Sequence, residues 1–124
     1  MTQARRALGA AGEEVARAHL VRRGYTILAR NIRRGGVELD IVARKGQTLV
    51  FVEVKTRRFS HQGAAVLAVD AKKRRRLVKG AFGWLTSERS RSTRVRFDVI
   101  GVERDDSGAW TVQHIERAFD AGDG

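Results

Sequence analysis

The chain has 124 residues, 42% hydrophobic and 31% charged, which suits one compact domain and excludes both a disordered tail and a membrane-embedded chain. With 25 basic and 14 acidic side chains it carries a formal charge of +11, and without cysteine it has no disulfides, thiol chemistry or thiolate metal sites. The longest apolar run, Ala64–Val69, is far short of the roughly 20 residues that cross a bilayer, and Glu13 and Glu14 come too early for a signal peptide, so the expected setting is cytoplasmic.

Ala4, Leu8, Ala11, Val15 and Ala18 recur at helical spacing and predict a first helix over about Gln3–Arg23, stopped by Gly24. Tyr25–Arg33 reads as a strand ending in an Arg33-Arg34-Gly35-Gly36 turn, and Val37–Arg44 as a second. The short Lys45-Gly46-Gln47 connection leads into Thr48–Arg57, whose Leu-Val-Phe-Val-Glu-Val-Lys core suits a central strand covered on both faces. After a looser stretch, Phe59–Ala68, Asp70 is placed to cap a helix running to about Ser87. Leu77, Ala81, Trp84 and Leu85 form its apolar stripe, with Lys72, Arg75, Arg76 and Lys79 on another face. Arg94–Glu103 and Ala109–Ile115 are two more strands around the Asp105-Asp106-Ser107-Gly108 turn. The order α-β-β-β-α-β-β, without repeats or linkers, predicts one α/β domain over residues 1–124, a hairpin-rich sheet flanked by helices.

The positive charge is uneven. Residues 1–62 carry +8 and residues 63–124 carry +3, and Lys55–Lys79 hold nine basic side chains against the single acid Asp70. Arginine outnumbers lysine 20 to 5, which a GC-rich genome would also produce, but the clustering favours a polyanionic partner.

Two charges interrupt the most apolar strand. Period two places Leu49, Phe51, Glu53 and Lys55 on one face, with Glu53 and Lys55 about 7 Å apart. On the preceding strand Glu38, Asp40 and Val42 share a face, and the tight connection brings Asp40 beside Glu53. Two carboxylates buried together are costly unless a cation joins them or one keeps its proton, and a magnesium ion meets that need. Lys55 would then orient water or offset phosphate charge. A structural ion pair, Glu53 with Lys55 or a nearby arginine, is the competing explanation, because chance alone supplies about 0.3 Glu-x-Lys triplets at this composition. His19, His61 and His114 share no ligand spacing, Asp98 is placed to pair with an arginine, and Trp84 and Trp110 read as core or sheet-face residues.

These residues carry a resemblance. Gly12-Glu13, Gly24-Tyr25, Arg30-Asn31, Glu38-Leu39-Asp40-Ile41, Phe51-Val52-Glu53-Val54-Lys55, Lys73, Arg76-Leu77, Trp84-Leu85, Arg96-Phe97-Asp98-Val99, His114-Ile115 and Ala118-Phe119 resemble the YraN family almost end to end. That family is classed with the restriction-endonuclease-like, PD-(D/E)xK superfamily, whose core is α-β-β-β-α-β. The resemblance implies a nuclease site in which Asp40, Glu53 and the Val54 carbonyl hold magnesium (or manganese) and Lys55 is the catalytic lysine. Glu13 matches the first-helix glutamate that archaeal Holliday-junction resolvases of this superfamily use at the metal. Gly9, Gly12 and Ala16 around it leave room against the sheet, although a solvated Glu13 beside Glu14 is the plainer reading. Leu39 stands where the superfamily has proline, and Val37 where the family usually has glycine. Glu38 is left between an outer ligand and a structural role.

The expected function is therefore magnesium-dependent cleavage of DNA. Arg57, Arg58, Lys72, Lys73, Arg75, Arg76 and Lys79 would hold the backbone, and recognition would follow branched or single-stranded structure more than sequence. The alternatives are a non-catalytic nucleic-acid-binding module of the same fold, or a basic RNA-associated protein. Related resolvases act as dimers, which leaves a homodimer open.

Overall fold

A computed structural model describes residues 2–58, 69–89 and 94–121. In chain order the elements are α1 (Gln3–Arg22), β1 (Thr26–Arg34), β2 (Val37–Lys45), β3 (Thr48–Arg58), α2 (Ala71–Ser87), β4 (Arg94–Arg104) and β5 (Trp110–Phe119). The strands form one mixed sheet in the order β1-β2-β3-β4-β5. Neighbours are antiparallel except β3 and β4, which run parallel because the segment holding α2 carries the chain back across the sheet. Among the described residues, no helix is long and apolar enough to cross a membrane.

Local chemistry sets the element ends. The Thr2 hydroxyl accepts the Arg5 N–H at the start of α1, and the Asp70 carboxylate accepts the Lys73 N–H at the start of α2. Gly35 and Gly36, at φ 59° and 76°, make the tight β1–β2 turn that side chains with a Cβ resist. Both faces of β3 are covered, as its apolar run requires. Ala16 and Leu20 of α1 pack on Ile41, Ala43, Val50, Val52, Ile100 and Val102. On the other face Leu77, Ala81 and Trp84 of α2 join Leu39, Val42, Leu49 and Phe51. Phe51, Phe97 and Phe119 stack there with ring centroids 5.8 and 4.8 Å apart.

Three expectations need correction. The buried face of α1 is Gly12, Ala16, His19 and Leu20, not the stripe from Ala4 to Ala18. Small residues read as apolar by type, whereas the helix needs its smallest residue where it meets β3. β5 extends past Ile115 to Phe119, because Arg117 takes φ 53° and an irregularity between Phe97 and Val99 lets pairing resume. Finally, Glu38, Asp40 and Val42 do not share one face. Leu39 and Val42, three residues apart, enter the same cluster, so strict alternation breaks between them.

Beside α1 lies a buried polar chain. Asp98, with a fully buried side chain, accepts from Arg96 Nε and Nη2 at 2.9 and 2.8 Å, His114 Nε2 at 2.7 Å and the Arg117 N–H at 3.1 Å. The arginine partner expected for Asp98 is thus Arg96. His114 Nδ1 lies 3.2 Å from His19 Nε2, and Arg96 also donates to the Tyr25 hydroxyl. Burial alone would raise the Asp98 carboxyl, but these donors hold it below the usual range.

Candidate active site

β2 and β3 pair from Lys45↔Thr48 to Ile41↔Val52, and the ladder ends there. At that fork Asp40 aims its carboxylate at β3, where Oδ2 accepts the Val54 N–H at 2.9 Å. Asn31, between the pairs Arg30↔Ile41 and Ile32↔Leu39 on the neighbouring strand, has φ 50°. That left-handed residue sits opposite Asp40 at the point where side-chain alternation fails.

The expected meeting of Asp40 with Glu53 is present. Burial is the main cause raising both carboxyls, and Glu53, whose side chain is 12% exposed, is pushed up to about 7. A hydrogen bond joins the two, and it raises the Glu53 carboxyl while lowering that of Asp40. From α2, Lys73 Nζ reaches Glu53 Oε1 at 3.2 Å and opposes the rise without cancelling it. Lys73, expected on phosphate, is therefore a partner of the acid pair. The Glu53 ion pair runs to another element, to Lys73 on α2; Lys55 is half-buried two positions further along β3.

Glu13 belongs to the same locus. Its carboxyl is raised first by burial and next by Asp40, while Arg30 and Asn31 act the other way. Its Oε1 is buried without a hydrogen-bond partner. Gly12 lies so close to β3 that an added Cβ would overlap the Thr56 side chain, and this approach delivers Glu13 to the fork. Gly9 has open space around it and lines the site instead of packing on the sheet. Glu13, Glu38 and Asp40 share a groove of about 560 Å³ with Arg5, Arg6, Arg30 and Asn31. Glu38 thus stands beside the acids, on the α1 side. The sequence reading missed Arg5, Arg6, Arg30 and Asn31, although Arg5, Gly9 and Glu13 follow one another at helical spacing.

The other expected cations do not line this groove. Arg57 pairs with Glu103 at 3.2 Å, and Arg57 and Arg58 line a second cleft with Arg5 and Leu8. Lys72, Arg75, Arg76 and Lys79 are exposed on α2. His61 falls outside the described residues.

Among the described residues, no three carboxylate or imidazole groups are close enough to hold a metal as they stand. The donor set still fits magnesium, a hard ion satisfied by one or two carboxylates with water. Asp40 and Glu53 supply two, and the unpartnered Glu13 oxygen is a further acceptor on the Asp40 side.

The model of an uncharacterised protein family, UPF0102, matches residues 12–102. A UPF0102 protein of Geobacter sulfurreducens is 47% identical over 113 residues, covering 91% of this chain and 88% of that protein. One from Frankia casuarinae is 44% identical over 117 residues, covering 94% and 99%. One from Nitratidesulfovibrio vulgaris is 42% identical over 120 residues, covering 97% and 89%.

Proposed function

The chain belongs to UPF0102, the family also called YraN, and we propose that it is a magnesium-dependent DNA endonuclease with a restriction-endonuclease-like core. One observation carries the reading: the buried carboxyls of Asp40 and Glu53 meet where two strands part, and the Glu13 carboxyl on the Asp40 side has an oxygen without a partner. A fold needing only stability would replace such a cluster with apolar side chains at little cost.

Asp40, Glu53, Glu13 and the Val54 carbonyl would hold magnesium, or manganese in its place. The bound ion would polarise a phosphodiester and make coordinated water acidic enough to attack it. The chain's own groups do the rest. The Val54 N–H holds Oδ2 of Asp40 at β3. Lys73 holds Glu53 against α2, and its ammonium lowers the cost of ionising that carboxyl. Lys55, two positions beyond Glu53 on β3, would meet charge developing on the phosphate. Arg5, Arg6 and Arg30 rim the groove with donors suited to the phosphates of the cleaved strand. Such contacts read backbone and shape, so selection falls on branched or single-stranded structure.

The Lys73–Glu53 contact favours a second reading, a non-catalytic nucleic-acid-binding module, because it occupies a Glu53 oxygen that a metal would need. A labelled panel of single strands, duplexes, flaps and four-way junctions, incubated with magnesium or manganese, separates the two. The nuclease reading expects metal-dependent cleavage that falls at least about 100-fold in both Asp40→Ala and Lys55→Ala while binding persists. Tight binding without cleavage of any substrate would assign the binding module.

A further inference from the structure

α2 carries Lys72, Lys73, Arg74, Arg75, Arg76 and Lys79 and no acid. Five of the six lie in its N-terminal half, where the helix dipole disfavours cations, and Lys79 lies at its midpoint, so helix stability does not explain them. Lys73 and Arg74 turn inward, onto Glu53 and onto the Val69 carbonyl at 2.6 Å. The other four remain exposed.

Phe82 lies on that exposed side and is 64% exposed, more than Val21, Leu28 or Val95. At 100° per residue Phe82, Arg75, Lys79 and Lys72 fall within about 80° of one another, opposite Leu77 and Trp84. The helix cannot roll to bury the ring. A Cβ on Gly83 would fall 2.6 Å from the Gly35 nitrogen, and one on Gly80 would fall 2.7 Å from Leu39 Cδ2. These close approaches fix which face of α2 meets the sheet, and Phe82 is left in water on a cationic stripe.

We infer that this face of α2 binds single-stranded nucleic acid, with phosphates on Lys72, Arg75 and Lys79 and an unstacked base on the Phe82 ring. The charge calls for a polyanion, and the ring calls for one that also offers a free apolar face. A single strand has both, whereas a duplex keeps its base faces inside the stack. Successive side chains along the stripe are separated by about 4.5–6 Å of helix rise, short enough for one strand to follow. The inference rests on the nucleic-acid-binding part of the proposed function and not on cleavage. Phe82 points away from the Lys73–Glu53 side of α2, so the two readings fail separately.

The test is binding in EDTA of a fluorescently labelled oligothymidylate of about a dozen nucleotides, and of a duplex of equal length, to wild type, Phe82→Ala and Phe82→Tyr. A strand carrying 2-aminopurine reports stacking directly. Phe82→Ala should weaken single-strand binding on the order of tenfold and abolish the quenching of 2-aminopurine, leave duplex binding unchanged, and be rescued by Phe82→Tyr. Undiminished single-strand binding by Phe82→Ala would overturn the inference, as would equal losses for strand and duplex. Wild type that ignores the strand but forms a dimer split by Phe82→Ala would assign the face to self-association. A protein that never cleaves yet shows the Phe82 pattern would lose only the nuclease reading.

Discussion

Glu53 is where burial and chemistry conflict most directly. Its carboxyl is raised to about 7, first by burial and then by Asp40, so near neutral pH the pair shares one proton. A carboxyl raised in the folded state stabilises the protein fully below its unfolded value near 4.5, and this contribution disappears as pH rises through about 7. Metal-free wild type should therefore lose, relative to Glu53→Gln, up to about 3 kcal/mol between pH 5 and pH 8.5 in urea unfolding. Glu53→Gln is the necessary reference because His19, lowered chiefly by burial, imposes the opposite slope at acid pH. An unchanged difference between the two proteins across that range would show that Glu53 ionises normally. The same proton should appear in metal binding. Magnesium titrated near pH 6 should release close to one proton, and near pH 8.5 almost none, read by calorimetry in buffers of different ionisation heat.

Gly9 and Gly12 show how an element serves the site. They lie three residues apart on α1 with opposite surroundings: open space around Gly9, the Thr56 side chain against Gly12. Gly9→Ala should raise stability by about 0.5–1 kcal/mol, the usual gain from replacing glycine inside a helix. Gly12→Ala should have a net cost of about 1–3 kcal/mol, because β-branched Thr56 cannot yield and α1 must shift. Thermal melts of both variants check the signs, and stabilisation by Gly12→Ala would refute the close approach. Much of this was legible in the sequence. Alternation and turn residues located every element, and the short β2–β3 connection placed Asp40 beside Glu53. What periodicity misses is irregularity and distant partners. The break in alternation after Leu39 coincides with Asn31 at a positive φ on the neighbouring strand, which leaves no trace in the spacing of β2 itself. Lys73 looked like one more cation of a basic run, and only packing of α2 on the sheet brings it to Glu53. Phe82 gave no signal, because an apolar residue in a helix is expected to face the core.

At the scale of the molecule, basic side chains stand on both helical layers, which cover opposite faces of the sheet. Arg5 and Arg6 stand on α1 and rim the acidic groove; Lys72, Arg75 and Lys79 stand on α2. The fork between β2 and β3 lies between these layers, so a nucleic acid reaching the carboxylates while also held by α2 touches both. Each neutralised phosphate contributes a nearly constant increment to the salt dependence of binding, which makes the layers countable. For a flap or junction, Arg6→Ser and Lys79→Ser should each reduce the slope of log affinity against log salt by about 0.7–0.9, and the double variant by the sum of the two. For a short single strand confined to α2, Lys79→Ser alone should change the slope. A flap that responds to Lys79→Ser but not to Arg6→Ser would mean that bound DNA never enters the acidic groove, and the cluster there would lose its claim to act on it.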